Sequence, residues 1–140
     1  MIVHAGLATR RIAGAWRGVL ITGPSGSGKS DLALRLLEAG FQLVADDRVL
    51  LWMSGGRLFG RAPDALAGLI EMRGVDVVAA PFRPFSEIVL AVECGPSGSG
   101  DRVPPPAAAA YLGHDRPRGR RAATEASAPA KLSRALLALG

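Results

Sequence analysis

A chain of 140 residues is the size of one domain and can bury roughly two thirds of its unfolded surface, so one core is expected and a second has little room. Its 17 basic residues, most of them arginine, outweigh 12 acidic ones, but no regular arginine spacing with interleaved aromatics marks a nucleic-acid groove. The single cysteine, Cys94, excludes an internal disulfide and a cysteine metal cluster, and the absence of a signal-peptide core or an apolar run near ~18 residues predicts a cytoplasmic protein without a membrane partner.

In chain order, the first pattern is Gly18-Val19-Leu20-Ile21-Thr22, an apolar run suited to a buried strand. Gly23-Pro24-Ser25-Gly26-Ser27-Gly28-Lys29-Ser30 follows, an unbroken G-x-x-x-x-G-K-S phosphate loop. A helix over 31–39 comes next and is stopped by Gly40. The loop therefore lies at a strand-to-helix turn, where backbone N–H groups and the positive helix end converge on phosphate oxygens. Lys29 is placed to reach the outer phosphates, and the Ser30 hydroxyl to ligate Mg²⁺.

Phe41–Ala45 is a second strand candidate ending in Asp46-Asp47, and residues 48–53 and 57–60 form a hairpin across Ser54-Gly55-Gly56. Pro63 to Ile70 reads as a short helix or connecting turn. Residues 75–80 and 86–93 read as strands, with a flexible loop at Pro81–Phe85 between them. From Gly95 to residue 127 the Gly, Ser, Pro and Ala content and the basic stretch His114 to Arg121 describe a connector. The segment 128–140 closes the single domain as a helix with Leu132, Leu136 and Leu139 on one face, able to pack on the core or serve a partner.

A phosphate loop alone does not specify a reaction; a carboxylate at a neighbouring strand end is needed to hold Mg²⁺ through water or to accept a proton from an attacking hydroxyl. Asp46-Asp47 is positioned for that. If the strand stays extended through both, their side chains point to opposite faces and only one looks at the phosphates. Glu71 lies where an extra metal ligand can enter, Arg73 is either a phosphate contact or a structural ion pair, and His4, taken alone, is more often an exposed histidine than a catalytic one.

Together, His4, the loop from Gly23 to Ser30, Val44-Ala45-Asp46-Asp47 and Ile70-Glu71-Met72-Arg73-Gly74 resemble the catalytic domain of HPr kinase/phosphorylase, over roughly residues 2 to 102. The short length resembles the minimal alphaproteobacterial form. The resemblance implies an α/β phosphate-loop domain with a mixed β-sheet, related to the phosphoenolpyruvate carboxykinase nucleotide-binding domain. It implies a bifunctional enzyme that uses ATP and Mg²⁺ to phosphorylate a serine of the phosphocarrier protein HPr, and that removes the phosphate with inorganic phosphate, releasing pyrophosphate. It further implies a homo-oligomer, hexameric in the longer members.

Carried onto this sequence, the resemblance makes His4, Lys29, Asp47 and Arg102 catalytic, with Asp47 accepting the serine proton forward and returning it in reverse. It gives nucleotide binding to Gly23, Pro24, Ser25, Gly26, Ser27, Gly28, Lys29 and Ser30, and metal ligation to Ser30 and Glu71; the acidic strand end itself adds Asp46 as a candidate metal ligand. The loop from Pro81 to Ser86 is shorter than in the long enzymes, and the family's dephosphorylation segment has no clear equivalent among Arg116 to Arg121. A small-molecule kinase and an ATP-sensing module without transferase activity share the phosphate loop. The first also requires a lid or an acceptor pocket, for which the sequence offers no clear candidate.

Overall fold

The computed structural model of the chain describes residues 1–24, 26–72, 76–94, 118–120 and 128–139. Ser25, Arg73, Arg102 and most of the 95–127 connector lie outside the described residues.

The strand leading into the phosphate loop is longer than its apolar run. It spans β3 (Ala15–Thr22) and pairs antiparallel with β2 (Gly6–Ile12), a strand that the sequence reading did not assign. The two join through Ala13-Gly14, both at positive φ (52° and 83°), since Ile12 pairs directly with Ala15. A two-residue turn with positive φ at both positions matches the right-handed twist of a hairpin. β4 (Gln42–Ala45) flanks β2 on its other edge, and β9 (Ser86–Glu93) lies parallel to β3.

The expected hairpin is present as β5 (Val49–Ser54) and β6 (Arg57–Arg61), joined to β9 through β6. β1 (Ile2–Val3) adds antiparallel to β5. Among the described residues the result is one mixed sheet in the order β1-β5-β6-β9-β3-β2-β4, with β10 (Arg118–Arg120) parallel to β9. Three residues of the expected connector are thus strand. Pro63 to Ile70 holds a single 3-10 turn at Asp64–Leu66, then enters β7 (Leu69–Met72), which pairs with β8 (Asp76–Ala79) as a separate two-stranded sheet.

The sheet buries both faces. On one, Val19, Ile21, Leu90 and Val92 pack against Leu32 and Leu36 of α1 (Lys29–Glu38) and against Leu132 and Leu136 of α2 (Ala128–Leu139). On the other, Leu7, Leu20 and Val44 meet Val49, Leu51 and Leu58, because the β5–β6 hairpin curls back over β2 and β4. The loop at Pro81–Phe85 is held as well: the Arg83 N–H donates to the Leu43 carbonyl at 2.8 Å, and its guanidinium lies 4.0 Å from the Trp16 ring centroid.

The C-terminal helix belongs to this core. Leu132 and Leu136 are 1% and 0% exposed, Arg10 donates to the Ser133 hydroxyl at 3.1 Å, and Arg17 donates to the Leu136 carbonyl at 2.9 Å, near the helix end where carbonyls lack intrahelical donors. Leu132 and Leu136 of the apolar face read from the sequence are therefore packed on the domain itself. We expect Leu136→Ala to lower unfolding stability by about 2–5 kcal/mol in a denaturant titration, the usual range for a buried Leu truncation. A change below about 0.5 kcal/mol, typical of a surface site, would show that the helix is only loosely attached.

Candidate functional site

The phosphate loop takes the conformation its glycines permit. Gly23 sits at φ 136°, and a Cβ there would stand 2.4 Å from the Cys94 carbonyl oxygen, so no larger residue fits between the loop and the end of β9. Gly28, at φ 98°, caps α1 in the left-handed region, and the helix begins at Lys29, inside the motif and two residues earlier than the sequence pattern indicated. Lys29 is 8% exposed and donates to the carbonyls of Gly23 and Pro24 at 2.7 and 2.8 Å. These contacts satisfy a buried ammonium. The Ser27 hydroxyl oxygen is buried in the same loop with no hydrogen-bond partner, a polar atom that an entering anion can satisfy.

Asp46 is the hub of the opposite wall. It is buried, accepts from the Ser30 hydroxyl at 2.8 Å through Oδ1 and from the Glu71 N–H at 2.9 Å through Oδ2. One carboxylate thereby joins the start of α1, the end of β4 and β7. Asp47 does not turn to the far face, contrary to the alternation expected of an extended strand. β4 has ended at Ala45, and Asp47 adopts φ 72°, which swings its side chain back so that both carboxylates line one cavity.

His4 is brought in by strand pairing. β1 runs antiparallel to β5 and the Ala5 N–H donates to the Asp47 carbonyl at 3.3 Å, which sets the His4 ring beside Asp47 with Nε2 2.9 Å from Oδ1. An ionised carboxylate only accepts, so Nε2 carries the proton in this contact. The other carboxylate oxygen accepts from Arg48 at 3.2 Å. His4 and Asp47 remain 44% and 54% exposed, so the pair is open to an incoming group.

These residues line a cavity of about 420 Å³ with Gly26, Gly28, Lys29, Ser30 and Glu71, and with Asp31 and Leu34. The last two escaped the sequence reading. Their spacing of three places them on one side of α1, which a helix phased from Lys29 would have revealed. Among the described residues no cluster of three or more His, Cys, Asp or Glu is preassembled to hold a metal. The donor set of Ser30, Asp46 and Glu71 fits Mg²⁺ nonetheless, since this ion usually takes one or two carboxylates and completes its shell with phosphate oxygens and water.

Cys94 lies directly under the loop, its N–H donating to the Thr22 carbonyl at 2.8 Å. Burial pushes the thiol up to about 11, against the opposing pull of the Lys29 and Arg35 charges. At pH 8 only about one thiol in a thousand is then ionised. We expect Cys94 to react slowly with a disulfide reagent at pH 8 in the folded protein and rapidly in denaturant. The shift also makes folding less favourable as pH rises from about 9 toward 11, because the unfolded thiol ionises first. Rapid labelling of the folded protein would contradict this packing.

A strand, a glycine-rich turn and a helix that meet facing acidic residues at the next strand end define a phosphate-loop α/β domain. The family model described as HPr Serine kinase C-terminal domain matches residues 11–82. The chain belongs to this family. It is 45% identical over 64 residues to an HPr kinase/phosphorylase of Clostridium tetani, a match covering 46% of this chain and 21% of the relative. A second HPr kinase/phosphorylase, from Halalkalibacterium halodurans, is 43% identical over 83 residues, 54% of this chain and 27% of the relative. These matches span about a fifth to a quarter of the relatives' lengths. The fold is similar to that of the Hpr(Ser) kinase/phosphatase from Coxiella burnetii, with a TM-score of 0.63, 27% identity, and coverage of 76% of this chain and 67% of that one.

Proposed function

We propose that this chain is the catalytic domain of an ATP-dependent protein-serine kinase acting on the phosphocarrier protein HPr, and that it also removes the phosphate by phosphorolysis. The observation that carries the reading is the convergence of the phosphate loop, the buried Asp46 and the open His4–Asp47 pair on one cavity. Family membership and the named relatives support the choice of acceptor.

In this reading the loop amides hold the β- and γ-phosphates, and Lys29 leaves its two carbonyl acceptors to neutralise the transferring group. Such electrostatic stabilisation is most of what phosphoryl transfer demands. Ser30, Asp46 and Glu71 would hold Mg²⁺, which would add charge neutralisation on the phosphates. Asp47 accepts the proton of the serine hydroxyl as its oxygen bonds to phosphorus and the bond to ADP breaks. His4 donates to the same carboxylate and steadies it. In the reverse direction inorganic phosphate attacks phosphoserine, Asp47 returns a proton to the leaving serine oxygen, and pyrophosphate is released. Arg102 is assigned to charge stabilisation by the family resemblance alone. A cytoplasmic location, a homo-oligomeric assembly and kinship with the phosphoenolpyruvate carboxykinase nucleotide-binding domain belong to the same proposal; no described helix is long and apolar enough to cross a membrane.

The exposure of the His4–Asp47 pair favours a protein acceptor, since a serine on a folded partner must approach without being enclosed. The cavity size also admits a small acceptor. Incubation with γ-labelled ATP and purified HPr separates the two: we expect label on an HPr serine, loss of transfer in Lys29→Ala, and a drop of about a hundredfold or more in Asp47→Asn with ATP affinity retained. With phosphoserine-HPr and millimolar phosphate, pyrophosphate should appear and should also require Asp47. Hydrolysis of ATP with no label on HPr would set the kinase reading aside.

A further inference from the structure

We propose that Arg48 is a positioning residue that locks the orientation of the Asp47 carboxylate for phosphoryl transfer, an inference that rests on the reading of Asp47 as proton acceptor. Asp47 is an exposed carboxylate at the end of a turn, in a left-handed backbone conformation that few non-glycine residues adopt. Left alone, such a side chain samples several rotamers in water, and only some of them aim an oxygen into the cavity. The structure removes that freedom from both ends. His4 holds Oδ1 at 2.9 Å, and Arg48 Nη1 holds Oδ2 at 3.2 Å.

The Arg48 contact differs from an ordinary exposed ion pair in one respect. The same nitrogen that reaches Oδ2 also donates to the main-chain carbonyl of Asp47, again at 3.2 Å. Side chain and backbone of one residue are thus tied through a single atom, which restrains the χ angles relative to the strained φ. The Ala5 N–H on the same carbonyl and the Arg48 N–H on the Asp46 carbonyl at 2.8 Å fix the turn that carries the tie. An ionised carboxylate has about four acceptor positions, so each oxygen keeps a lone pair for the incoming hydroxyl. Restraint therefore leaves the base free to act.

The pair Arg48→Met and Arg48→Lys tests this, each in the wild-type and Asp47→Asn backgrounds, with steady-state transfer from ATP to HPr and single-turnover assays for the slow variants. Arg48→Met should lower kcat roughly tenfold, less than the hundredfold that a misplacement of about 1 Å can cost, with KM for ATP and HPr unchanged within twofold. Because both bonds leave one nitrogen, an ammonium can make them, and Arg48→Lys should recover most of kcat. In the Asp47→Asn background Arg48→Met should cost nothing further. The proposal is overturned by a kcat within twofold of wild type in Arg48→Met, by a loss confined to KM, or by an equal loss in the Asp47→Asn background. If Asp47→Asn itself turns over normally, the reading of Asp47 fails and the positioning role falls with it.

Discussion

The Asp46 carboxylate is the constraint on which the site depends. Its two oxygens accept from Ser30 on the phosphate-loop helix and from the backbone of Glu71 on β7, so three segments far apart in sequence are held at hydrogen-bond distance by one buried group. A buried carboxylate is costly unless its lone pairs are occupied, and here both oxygens are. The same two contacts that make its burial tolerable set Ser30 and the Glu71 segment at the rim where a metal-bound phosphate would lie.

Around that hub, backbone geometry decides which side chains reach the cavity. The left-handed conformation of Asp47 turns a strand-end pair that would diverge into two carboxylates on one wall, and the addition of β1 to β5 carries His4 across to meet the second of them. The phosphate loop is held from below by β9, where the Cys94 carbonyl occupies the volume a Gly23 side chain would need. Parallel pairing of β3 with β9 and burial of α2 against α1 make that floor part of the core. The phosphate loop and the core therefore meet at Cys94.

Much of this was legible in the sequence because it follows local rules. The phosphate loop, the Gly55-Gly56 hairpin, the strand at Ser86–Glu93 and the Leu132/Leu136 face carry their own signals. The β2–β3 hairpin did not, for two reasons. Thr9-Arg10-Arg11 breaks the apolar alternation, and Ala13 occupies a positive-φ turn position where Asn or Asp would advertise the turn. The divergence expected of Asp46 and Asp47 failed because a period of two holds only while a strand continues, and β4 stops at Ala45. The His4–Asp47 contact spans 43 positions, and no local pattern encodes it; the resemblance to a known catalytic domain named each residue but not their contact.

The most direct test of the account is a calorimetric titration of a non-hydrolysable ATP analogue with Mg²⁺ into the wild-type protein and into Asp46→Ala, with folding of both checked by circular dichroism. If Asp46 organises the phosphate site, the substitution frees the Ser30 hydroxyl and the Glu71 segment together, and affinity should fall at least about tenfold, the equivalent of one lost charge-assisted hydrogen bond. Equal affinity in a folded Asp46→Ala protein would show that the phosphate loop assembles without its carboxylate hub.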